Sequence, residues 1–185
     1  MKYVILLFLL ISNAMNVTAQ QESPWAIYMT PADVHAFLAQ YSGSFSLEIY
    51  MGSGESNVAK AASIQSEHNM LLGGRFLELK QQGTMMGMDY RAITTLGFNT
   101  IDHKMALTTL TNMGTGTLSL FGTWDHTTKS ANLYGELTNP VSKKTIHVRQ
   151  FIQFIDADTL LIESFDKEGK EAEQKTVTYK FVSIK

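Results

Sequence analysis

The chain contains no cysteine, so no disulfide braces it, no lipid is attached through a thiol, and its stability has to come from packing. Neither sign of charge dominates: 15 Lys and Arg stand against 17 Asp and Glu, a formal net charge of −2. Nucleic-acid binding calls for a clustered excess of basic side chains to replace condensed counterions, and none is present. The basic pair Lys143-Lys144 lies beside the turn signal Asn139-Pro140 and reads as a solvated loop. Nowhere does an apolar run approach the roughly 20 residues that span a bilayer. The run from Tyr3 to Ile11 follows Met1-Lys2 and precedes small and polar residues ending in Val17-Thr18-Ala19, the order of a secretory signal peptide. The expectation is therefore a signal peptide at residues 1–19 and a single domain at 20–185. That domain is expected to be exported to the periplasm or beyond, without stable membrane insertion after cleavage, and monomeric.

The linear signs of familiar catalysis are also missing. There is no Gly-x-Ser-x-Gly elbow, and Gly52-Ser53-Gly54 and Gly114-Thr115-Gly116 lack the following helix that a phosphate-binding loop requires. The five histidines, His35, His68, His103, His126 and His147, are scattered, with no pair at helical ligand spacing. No metal and no cofactor are expected from that pattern. Acid–base sites assembled from distant strands leave no linear trace, so the question of an enzyme stays open.

What is present is alternation. From Phe45 onward, apolar and polar residues trade places in short runs rich in Val, Ile, Thr, Phe and Tyr, with turn signals about every 8–12 residues. The runs fall at 45–51, 57–69, 74–81, 88–98, 104–112, 115–123, 130–138, 144–155, 159–166 and 173–184. Gly83, Gly87, Asn99, Asn139-Pro140, Asp156-Ala157-Asp158 and Lys167-Glu168-Gly169 mark the hairpin turns between them. Ahead of the strands lies one short helix: Thr30 is placed to cap it, Pro31 fits its first position, and Val34, Phe37, Leu38 and Tyr41 form one apolar stripe before Gly43. An open meander this long would expose two edges, so the all-β reading is an up-and-down antiparallel β-barrel of about ten strands with the helix over one end. About ten strands leave room inside for a small ligand.

The segments Leu71-Leu72-Gly73-Gly74-Arg75-Phe76, Met86-Gly87-Met88, Leu96-Gly97-Phe98-Asn99 and Met113-Gly114-Thr115-Gly116 resemble a bacterial family numbered 1579 among domains of unknown function. His35-Ala36-Phe37-Leu38, Asp158-Thr159, Glu163 and the closing Tyr179-Lys180 extend the likeness from about residue 33 to the end. The resemblance implies a small, often exported barrel of lipocalin or calycin type and carries no catalytic residue with it. Gly97-Phe98-Asn99 stands where the family usually reads Gly-Tyr-Asp, and Thr109-Leu110-Thr111 where it tends to Trp-x-Asp, so a site built on that tryptophan and aspartate is absent here.

Four residues are candidates to orient a ligand. Arg75 shares the period-2 face of Leu77 and Leu79, and its fork suits a carboxylate at the barrel mouth or a structural partner across it. His147 and Arg149 alternate with Ile146, Val148, Ile152 and Phe154; regular register puts them outside, and a reversed or bulged one would make His147 an inward haem or metal ligand. Glu163 joins their face if the intervening turn has an odd number of residues, and then neutralises Arg149. Met85, Met86 and Met88 around Gly87 form a flexible lip suited to apolar ligands. The leading expectation is an exported barrel binding a small apolar or amphipathic molecule. The alternatives are a haem-binding or enzymatic barrel using an inward histidine, and a filled barrel acting through its surface.

Overall fold

Within Thr145–Asp156, Val148, Gln150, Ile152 and Phe154 are buried while the residues between them are not. Successive side chains on a strand point to opposite faces, so this pattern sets one face against a core and the other toward water. The computed structural model describes residues 23–52 and 59–184; the proposed signal peptide lies outside the described residues. The strands are β1 (Gly43–Met51), β2 (Ala59–Leu71), β3 (Phe76–Met85), β4 (Met88–Phe98), β5 (Lys104–Thr111), β6 (Leu118–Asp125), β7 (Ser130–Thr138), β8 (Thr145–Asp156), β9 (Thr159–Glu168) and β10 (Gln174–Ser183), and the same alternation of burial runs along β1, β3, β4 and β9. Each strand pairs antiparallel with the next, and β10 returns to β1 in a register running from Phe45 opposite Ser183 to Met51 opposite Val177, which closes a ten-stranded up-and-down barrel. Closure removes the two edges that would otherwise template aggregation.

Two local readings need correction. Gly83 is not a turn: β3 continues to Met85, and the turn is Met86-Gly87, with φ of 52° and 80°. Positive φ at both central residues is the two-residue hairpin geometry that matches strand twist, and Met85 pairs with Met88 across it. Gly83 is instead an inward strand position, where an added Cβ would lie 3.1 Å from the side chain of Ile64. The N-terminal helical segment is broken into α1 (Pro24–Met29) and α2 (Asp33–Ala39). Thr30 precedes a proline, which disfavours helical backbone, and it is extended at φ −101°, ψ 125°, ending α1 rather than starting α2. The residue at the start of α2 is Ala32, which has no capping side chain; His35 compensates by accepting the Ala32 N–H at Nδ1, 2.9 Å away.

α2 plugs one end of the barrel. Val34, His35 and Leu38 are buried, and Phe37 and Tyr41 meet Phe154 at ring distances of 5.2 and 4.6 Å, with Trp124 5.6 Å from Phe37. The plug is pinned by His68 of β2, whose Nδ1–H donates to the Tyr41 carbonyl at 3.1 Å while Nε2 accepts from the Ser66 hydroxyl at 3.0 Å. Since a carbonyl only accepts, the first bond fixes the tautomer. The ring lies flat on Phe45, 4.0 Å between centroids, and burial pushes its pKa down to about 4.

Candidate functional site

The inward positions change character along the barrel axis. Near α2 they are mostly apolar and closed to water, with Leu77, Leu79, Leu96, Met105, Leu107, Leu120 and Phe181 at or below 1% exposure. Toward the opposite end polar side chains enter the same faces: Gln81, Tyr90, Thr94 and Thr109 on β3 to β5, and Gln150, Ser164, Asp166 and Tyr179 on β8 to β10. Met85, Thr109, Leu118, Asp166, Val177 and Tyr179 point inward yet keep accessible surface, so this is the open end.

The two polar walls are not alike. On β3 to β5 they form a chain of hydrogen bonds: the Tyr90 hydroxyl donates to Gln81 Oε1 at 3.2 Å, Gln81 Nε2 donates to Thr94 Oγ1 at 3.3 Å, and the hydroxyls of Thr94 and Thr109 are 3.0 Å apart. On the facing wall, Gln150 sits directly opposite Ser164, and Asp166 is the next inward residue along β9. Gln150 is 6% exposed, and its Oε1 has no hydrogen-bond partner among the described residues. An orphaned buried acceptor costs about 1–3 kcal/mol. Burial raises the Asp166 pKa, opposed by a hydrogen bond to Thr176, and pushes Tyr90 up to about 12. The Tyr179 phenol is raised first by burial and then by the charges of Tyr90 and Asp166, so groups from β4, β9 and β10 share one electrostatic neighbourhood in the lumen.

None of the four residues singled out by pattern points into this space. Arg75 lies at the β2–β3 turn on the plugged end, where its guanidinium donates to the carbonyls of Leu72, at 3.0 Å, and of Met29, tying α1 to the turn. His147 and Arg149 stand on the outer face because Val148, Gln150 and Ile152 hold the inner one. His147 Nδ1 meets Glu136 at 2.9 Å. Arg149 is forked on Glu173 at 2.7 Å, donates to Asn132 at 3.0 Å and covers the Phe165 ring at 3.8 Å. Glu163 reaches that outer face because a bulge at Ile155 supplies the odd residue, and it pairs with Lys175 at 3.1 Å rather than neutralising Arg149. His147 and Arg149 thus share a shallow outer depression of about 280 Å³ with Tyr134 and Glu173, while Arg75 is elsewhere.

The inward histidine is His68, and both of its ring nitrogens are already taken by protein groups. His103 and His126 flank the Phe98 ring at 6.1 and 6.4 Å on the plugged end, and among the described residues no three His, Cys, Asp or Glu assemble into a metal site. The lumen residues had a visible signal: Gln150 interrupts the apolar face between Val148 and Ile152, and Asp166 continues the period of Ile162 and Ser164. A polar residue on a core face is the informative exception.

Residues 30–182 match the family model described as "Protein of unknown function (DUF1579)", and the chain belongs to that family. No curated protein matches it. Among solved structures it is similar to an S-type phycobiliprotein lyase from Guillardia theta, with 11% identity over 82% of this chain and 93% of that one and a TM-score of 0.54. A redesigned β-barrel matches 80% of this chain and 95% of its own at 8% identity and a TM-score of 0.43. At these identities the likeness concerns the fold alone.

Proposed function

We propose that this member of the DUF1579 family is an exported binding protein that takes a small amphipathic molecule into the half of its barrel remote from α2. The observation that carries the reading is the unpartnered Oε1 of Gln150, buried on the inner face beneath inward residues that keep accessible surface at the open end. Buried polar atoms in folded proteins are almost always paired, and a pocket with a few convergent polar groups in apolar surroundings is what small ligands use. The rim supports the same reading. Met85, Leu118, Ile146 and Val177 give it an apolar lining, and Met86 and Met88 extend a polarizable lip into solvent. Arg75, His147, Arg149 and Glu163 serve the outer surface in this account, and the polar end of the ligand is met by Gln150, Asp166 and the two tyrosines.

Native mass spectrometry of the protein recovered from the exported fraction tests this directly. The wild type is expected to carry or take up a small-molecule adduct that Val177→Trp, which fills the half-exposed mouth, excludes. Equal bare masses for both, after exposure to a lipid extract, would remove the lumen from consideration. Export is checked on the same sample, whose first residue is expected to be Gln20.

A further inference from the structure

We infer that the lumen selects a cationic amphiphile, with an ammonium or guanidinium head bound between Gln150 and Asp166 and an apolar tail lying along the rim; the inference rests on the lumen-binding reading above. The acid on the β8–β10 wall sets the sign of the ligand. Two groups there call for a donor, the carbonyl oxygen without a partner on Gln150 and the carboxyl group of Asp166, beside the hydroxyls of Ser164 and Tyr179, which donate or accept. A carbonyl oxygen is satisfied only by a donor. The described lysines and arginines of β3 to β10 and their turns stand on the outer face or in the turns, and those nearest this wall are committed there, Arg149 to Glu173 and Lys175 to Glu163. Among the described side chains of β3 to β10, Asp166 therefore stands in the lumen with no lysine or arginine directed inward beside it.

The remaining surroundings fit the same head group. Tyr90 and Tyr179 are inward residues of β4 and β10, and a cation over a desolvated aromatic ring gains further attraction. On the β3–β5 wall the Tyr90 hydroxyl is already committed to Gln81. Burial that makes an isolated Asp166 carboxylate costly is offset when an ammonium arrives beside it, which couples binding to ionisation of the acid. The tail cannot run toward α2, where the interior is closed by Leu79, Leu107, Leu120 and Ile152, all at or below 1% exposure. It lies instead over Met85, Leu118, Ile146 and Val177, which leaves the head as the deepest part of the ligand.

Calorimetric titration with decylamine, decanol and decanoic acid at about pH 7 decides the matter, using protein produced from the full-length sequence. A charged hydrogen bond contributes about 1.5–3 kcal/mol, so decylamine should bind at least about tenfold tighter than decanoate, with decanol between them. Asp166→Asn should erase the preference for amine over acid, and Gln150→Leu should weaken the amine while leaving that preference. The ranking of the three ligands on the wild type needs no variant and stands even where one misfolds. Decanoate binding as well as decylamine, with Val177→Trp excluding both, overturns the cation inference and leaves the lumen reading intact. Binding of all three undisturbed by Val177→Trp, or of none, removes the lumen reading and the inference with it.

Discussion

His68 and Gln150 are both polar residues on inward faces of the barrel, at 1% and 6% exposure, and they have opposite fates. His68, at the plugged end, has each ring nitrogen paired and an aromatic face beneath it. Gln150, toward the open end, keeps an oxygen without a partner. The first arrangement is what a core uses to hold α2 in place. The second is a stability cost retained inside the fold, shared among the described residues with the Nε1 of Trp124 beneath α2.

The largest effect should come from breaking the satisfied residue. His68→Ala removes a stacked ring and leaves the Tyr41 carbonyl and Ser66 hydroxyl without their partner, a loss of about 3–5 kcal/mol by analogy with aromatic truncation and broken buried hydrogen bonds. Urea unfolding should show it, together with increased proteolysis at α2; a loss below about 1 kcal/mol would mean that α2 is not pinned by this ring.

Acid should act through the same group. The His68 pKa falls from its usual 6.5 in the unfolded chain to about 4 when folded, so between those values the unfolded state binds more protons and stability rises with pH. Its contribution is complete above pH 6.5 and is lost as pH falls toward 4, about 3 kcal/mol in all. His68→Asn should flatten the urea midpoint across that window, and an unchanged slope would assign the acid sensitivity to other groups.

Gln150→Leu sharpens the comparison from the other side. Replacing an unpaired buried amide by an apolar side chain of similar length should leave stability unchanged or raise it by about 1 kcal/mol, while ligand uptake falls. A destabilisation of the size expected for His68→Ala would show that Gln150 has a structural partner and would dissolve the contrast. The smallest change is expected at Arg149→Ala. Its guanidinium, fork-bound to Glu173 and stacked on Phe165, holds the outer surface, so a loss of about 1 kcal/mol or less in a thermal melt is expected, with no change in ligand uptake.

Much of the barrel was legible because a strand with one buried face announces itself every second residue. The run Val148 to Phe154 and the alternation through Phe181 locate strands without any partner being known. Turns were less legible. Gly83 and Gly87 both mark a turn by residue type, yet only Gly87 occupies the left-handed backbone, while Gly83 is small because Ile64 of the neighbouring strand approaches it. The site was least legible. Arg75, His147, Arg149 and Glu163 draw notice by charge, whereas the inner wall carries an uncharged amide, Gln150, marked in the sequence only by interrupting the apolar face between Val148 and Ile152.

Taken alone, the sequence determined the number and alternation of the strands, the absence of disulfides and the near-neutral charge, because these follow from local residue order and composition. The return of β10 to β1, the plugging of one end by α2, and the meeting of Tyr90, Tyr179 and Asp166 in one lumen were decided by the tertiary structure. These depend on pairing between strands far apart in the chain, and no local pattern records whether a buried oxygen will find a partner once the barrel has closed.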